Sequence, residues 1–98
     1  MINLIGKYCI VRTNTAGVFA GVIDARDGSR VQMSEARRLW YWDGAASLSQ
    51  LAVEGVAKPK TCKFPAVVPL VELLETVEII PTTAKARKCI EDVPVWNA

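Results

Sequence analysis

Apolar and polar positions alternate with a period of two from Lys7 to Thr13, in a run rich in β-branched and aromatic residues. The polar stretch Asn14-Thr15-Ala16-Gly17 breaks the run, and an extended pattern resumes from Val18 to Arg26. This predicts a hairpin with its turn at Asn14 to Gly17. Asp27-Gly28 is the strongest short-range turn signal in the chain, because glycine tolerates positive φ and aspartate bonds its own backbone locally. A second hairpin is predicted there, returning along Arg30 to Met33. Ser34-Glu35 then interrupts the pattern, and Ala36 to Trp42 reads as a fourth strand.

The pattern then changes. Ser47-Leu48-Ser49-Gln50 has the form of a capping box, and Gly55 closes the segment, so one short helix fits between them. Val56 to Lys63 reads as an exposed loop carrying Lys58, Lys60 and Lys63. Phe64 to Val71 and Thr76 to Ile80 have the length of strands, with Pro65 and Pro69 confining the first to an edge or an irregular course. Leu70 to Val77 also fits a helical turn, and periodicity alone leaves the two readings open. Thr82 or Thr83 can cap a last helix running to about Ile90. The apolar tail Val93-Pro94-Val95-Trp96 needs a surface to pack on.

No segment repeats and no linker divides the chain, so residues 1–98 read as one small β-rich, ligand-binding domain. The expected class is α+β and mostly β: an antiparallel sheet or partial barrel of SH3-like or Sm-like pattern with two short helices.

Composition narrows the chemistry. A chain that is 51% hydrophobic and 22% charged folds rather than staying disordered. A net charge of +2 is far below the excess of a protein built to neutralise a phosphate backbone, so nucleic acid is an unexpected partner. The chain has no histidine, which removes imidazole as base, shuttle or metal ligand. Cys9, Cys62 and Cys89 are odd in number and widely spaced, which fits a reducing cytosol. No membrane span, cofactor or metal site is expected. Asp24, Asp27, Glu72, Glu75 and Glu78 read as charges facing water, and Cys9 as a small buried hydrophobe. A non-catalytic protein is the expectation.

Three groups of residues could bind a ligand. In Ala36 to Asp43, period-two alternation would put Arg37, Leu39 and Tyr41 on one face and Arg38, Trp40 and Trp42 on the other. A guanidinium fork beside two indoles suits a phosphate and a base, although Trp40 and Trp42 could equally be core. Arg12, Thr13, Thr15 and Gly17 offer a cation, hydroxyls and a glycine where backbone can approach an anion; an ordinary polar turn fits as well. Lys85, Arg87 and Lys88 form a third basic cluster, either a solvated helix face or a contribution to a pocket shared between subunits.

The stretch Val11 to Val18, Gly21, the run Ala36 to Ala45 with Leu48 and Leu51, and Val77-Glu78-Ile79-Ile80-Pro81 resemble a family of small phage and prophage proteins. That family is similar to the phage anti-Thoeris sponge proteins, which sequester the cyclic ADP-ribose-type signal of a bacterial TIR defence enzyme; some also hold CBASS cyclic oligonucleotides. The resemblance implies a homo-oligomeric trap, a dimer or an assembly of dimers, acting in the cytoplasm of an infected bacterium and binding an intact cyclic nucleotide signalling molecule. Asn14 in place of an aromatic residue and Ala45-Ala46 after the tryptophan segment depart from the family's pattern and bear on ligand choice. A nucleic-acid module of Sm-like type and a structural or interaction protein of a virion are the other roles compatible with the residues.

Overall fold

The computed structural model describes residues 1–97. It contains strands β1 (Tyr8–Thr13), β2 (Val18–Asp27), β3 (Arg30–Arg38), β4 (Val68–Leu73) and β5 (Thr76–Pro81), with helices α1 (Leu48–Glu54) and α2 (Ala84–Asp92). All neighbouring strands pair antiparallel, in the order β4-β3-β2-β1-β5.

That order forces curvature. β4 and β5 are opposite edges of the sheet, yet only Leu74 and Glu75 lie between them. Four strand spacings in a flat sheet would separate the edges by about 19 Å. Three Cα steps reach about 11 Å. The sheet therefore rolls into a partial barrel, and two backbone bonds stitch its closing corner: Thr76 N–H to Ser29 O (2.9 Å) and Asn14 N–H to Glu75 O (3.0 Å). Inside the roll lie Cys9, Val11, Phe19, Ile23, Val31, Met33, Ala36 and Leu73. Outside it, the helices cover a second core of Tyr8, Ile10, Leu39, Leu51, Phe64 and Ile90 with their neighbours. Each fully buried aliphatic side chain contributes about 1.5–3 kcal/mol relative to an exposed one.

The first two hairpins turn where the sequence places them. Ser34-Glu35 does not end a strand: it is a bulge within β3, with Glu35 at φ 49° and the β2 register shifting opposite it. Gly21 faces this bulge, where a Cβ would stand 2.8 Å from Ser34 O. The strand ends at Arg38, so the fourth strand expected at Ala36 to Trp42 is a correction; Trp40 to Trp42 form a loop held by a bridge from Tyr41 to Lys63. Val68–Leu73 takes the fourth place, and the ambiguous Leu70 to Val77 segment resolves as two strands around a tight turn with Glu75 at φ 55°. Ser47 Oγ accepts from Gln50 N–H to cap α1, and Thr83 Oγ1 accepts from Ala86 N–H to cap α2.

The tail finds its surface within the chain. Phe64 and Val95 form a parallel bridge, and Trp96 N–H donates to Phe64 O at 3.0 Å. Val93 is buried, whereas Val95 remains half exposed, so the chain covers this end only in part.

Candidate functional site

The turn after β1 is organised by Thr13, whose hydroxyl donates to Gly17 O (2.9 Å) and accepts from Ala16 N–H (2.9 Å). Thr13 is buried and spent on the turn, so its expected role as a ligand contact is corrected to that of a brace. Gly17 adopts φ 96°, a conformation costly for other residues, and Thr15 is exposed. Across the turn, Arg38 Nη1 donates to Ala16 O at 2.6 Å while its guanidinium lies 4.4 Å from the centroid of the Phe19 ring. Arg38 is thus exposed but held in place by the turn and the ring. Its Nε and Nη2 have no partner among the described residues, which leaves donors for an anion.

From Arg38 the chain leads into an exposed aromatic shelf. Trp40 is 66% exposed and Tyr41 48%. Both backbone N–H groups donate to Lys63 O, at 3.1 and 3.2 Å. Lys63 Nζ sits 5.8 Å from the Tyr41 ring centroid and 5.7 Å from that of Trp96, in cation–π range of both. Exposing large aromatic surface forgoes burial energy, so a shelf that joins rings to cations has the chemistry of a stacking and anion-binding surface. Trp42, by contrast, is half-buried against the helix-side core and can only wall the shelf.

Other expected residues stand elsewhere. Arg37 is buried and donates to three carbonyls, Pro65 O, Ile90 O and Phe64 O, each at 2.9 Å. Burial pushes its guanidinium down from its usual range, partly offset by Tyr8. Its assignment to ligand binding is corrected: it ties β3 to the end of α2. Arg12 pairs with Glu78 at 3.0 Å, on the surface. Arg87 pairs with Glu91 and lies over the Tyr8 ring at 4.7 Å, and Lys88 pairs with Asp92. Arg87 is thus committed to Glu91 and Tyr8, Lys85 is exposed, and among the described residues neither makes a hydrogen bond or ion pair with a shelf residue.

The exposed carboxylates hold surface partners: Asp24 accepts from Ser34 Oγ and Glu72 from Gln32 Nε2. Burial pushes the Cys9 thiol up to about 11 and raises that of Cys62, the reverse of what a nucleophile requires. Among the described residues no cluster of His, Cys, Asp and Glu could hold a metal ion, and no helix is long and apolar enough to cross a membrane.

Of the shelf, the sequence pointed to Arg38 and Trp40. It missed Lys63 and Trp96, whose approach depends on two isolated bridges that leave no periodic trace, and by carrying the strand too far it set Tyr41 with Arg37 and Leu39, on the face opposite Trp40.

No curated protein and no solved structure matches the chain. A family model matches residues 6–90 and is described as a domain of unknown function, DUF6948. The chain belongs to that family.

Proposed function

We propose that the protein is a non-catalytic binding module that captures a cyclic nucleotide immune signal, a cyclic ADP-ribose isomer or a cyclic oligonucleotide, and so blunts anti-phage defence in the cytoplasm of the infected host. The observation that carries this reading is the shelf. Arg38, held by Ala16 O and the Phe19 ring, precedes exposed Trp40 by two residues in the chain, and Tyr41, Lys63 and Trp96 form a cation–π group around that same loop. Arginine forks recognise phosphate and ring faces accept bases, so the two halves of a nucleotide have matching halves here. The raised cysteine pKa values and the absence of histidine support retention of the ligand intact rather than turnover.

The reading includes a homo-oligomer. Val67, Val68 and Leu70 expose apolar side chains at and just before edge strand β4, and this edge is where a second copy fits.

Isothermal titration of the purified protein against a panel of cyclic nucleotides tests the proposal. One member should bind tightly, with affinity nearly independent of moderate salt, and be recovered unhydrolysed. Binding of single- or double-stranded nucleic acid with a steep salt dependence, and of no cyclic nucleotide, would overturn it in favour of the Sm-like alternative.

A further inference from the structure

Between the N-terminal segment and β5 runs a cleft built from residues that take no part in the shelf. Ile5 N–H donates to Asn3 Oδ1 and Lys7 N–H to Leu4 O, folding the segment so that Leu4, like Ile79, packs against the barrel interior. One part of the cleft, of about 380 Å³, is lined mainly by aliphatic side chains, Ile2, Leu4, Ile23 and Ile79 among them, with Arg26 at its border. The adjoining part, of about 320 Å³, shares Leu4, Arg26 and Ile79 and adds Ser29, Thr76 and Glu78. An aliphatic half and a polar half meet at Arg26.

The polar half has unused hydrogen-bonding capacity. Arg26 Nε donates to Gly28 O at 3.0 Å, which steadies the guanidinium, and its terminal nitrogens have no partner among the described residues. Thr76 Oγ1 is buried, closed off from the cleft, and has no hydrogen-bond partner among the described residues, which costs folding free energy. Glu78, the carboxylate in this half, is already answered by Arg12. The volumes fall at the lower end of the range for small-molecule sites, about 300–1,000 Å³. No aromatic ring lines either part, so the body that fits is a hydrocarbon chain rather than a base.

We infer that this cleft binds a small molecule with an aliphatic body and a carboxylate head. The chain lies along Leu4, Ile23 and Ile79, and the head takes the free nitrogens of Arg26.

The test is a ¹⁵N-resolved NMR titration of the full chain with octanoate, octanol and octylammonium. Octanoate should shift the amides of Leu4, Ser29, Thr76 and Ile79, octanol should bind about tenfold more weakly, and octylammonium should not bind. Arg26→Gln should weaken octanoate by about tenfold or more. Thr76→Val, which deletes the unpartnered hydroxyl at constant shape, should raise the melting temperature of the ligand-free protein and leave octanoate affinity unchanged, so that a loss of affinity in Arg26→Gln reports a contact and not a change in stability. Equal affinity for octanoate and octanol, shifts confined to other residues, or Arg26→Gln binding octanoate like the parent would overturn the site. Failure here leaves the nucleotide shelf untouched, since the two share no residue.

Discussion

Arg37 Nη1 donates to the carbonyl oxygen of Ile90 at 2.9 Å, joining the end of β3 to the last turn of α2 across 53 residues of chain. The same guanidinium takes Phe64 O and Pro65 O, so one planar fork satisfies three carbonyls from two separate segments. A buried cation with no carboxylate partner is tolerated because these carbonyls solvate it.

Arg37→Leu should therefore destabilise the protein by about 3–5 kcal/mol, a large share of the roughly 5–15 kcal/mol available to a domain. Arg37→Lys should recover little, because an ammonium cannot reproduce the fork. Urea denaturation of both variants checks this; a loss below about 1 kcal/mol in Arg37→Leu would contradict it.

The neighbouring arginine should behave oppositely. Arg38→Ala removes one exposed bond and a stack on Phe19, so stability should fall by only about 1 kcal/mol. Nucleotide affinity should fall by about tenfold to a hundredfold. Trp40→Ala should likewise cost affinity with little change in melting temperature, whereas Lys85→Ala should leave affinity unchanged. Calorimetric titration and thermal melts of the three variants separate these outcomes.

That contrast marks how far the sequence could be read. The turn residues, the Ser47 cap of α1 and, to within Thr82 or Thr83, the cap of α2 were legible because each depends on local backbone chemistry. Period-two counting failed past Arg38 because strand β3 ends there, and nothing local distinguishes Arg37, aimed at carbonyls of residues 64, 65 and 90, from Arg38, aimed at solvent. The bulge at Glu35 was visible as a break but not as a bulge, because its cause is the close approach of Gly21 on β2. Lys63 and Trp96 reach the shelf through contacts distant in sequence, which periodicity cannot register.

Alkaline pH should weaken the fold. Burial pushes Cys9 up to about 11 from 9.0, and burial, aided by Glu91, pushes Tyr8 up to about 12 from 10.0. In both cases the folded state keeps a proton that the unfolded chain releases, so the contribution is complete below pH 9 and is lost as pH rises through about 9 to 12. The slope should be on the order of 1 kcal/mol per pH unit for each group titrating. Denaturant midpoints measured from pH 8 upward check it, and Cys9→Ala should flatten the first part of the decline.

Two glycines with positive φ should respond differently to alanine. At Gly55, φ is 79° and a Cβ would stand 2.6 Å from Cys89 Cβ, so the α1–α2 contact must open. At Gly28, φ is 59° and nothing lies within 4 Å. Gly28→Ala should cost about 1 kcal/mol from the backbone alone, and Gly55→Ala at least about twice that. Comparable losses in the two melts would contradict the packing described around Cys89.

The central claim, capture of an intact cyclic nucleotide on the Arg38 shelf, is tested most directly by native mass spectrometry of the protein recovered from cells with an active nucleotide-signalling defence. The account predicts an oligomer carrying a mass increment equal to an unhydrolysed cyclic nucleotide, and loss of that increment in Arg38→Ala. A ligand-free spectrum for the parent protein, or an increment that persists in Arg38→Ala, would contradict it.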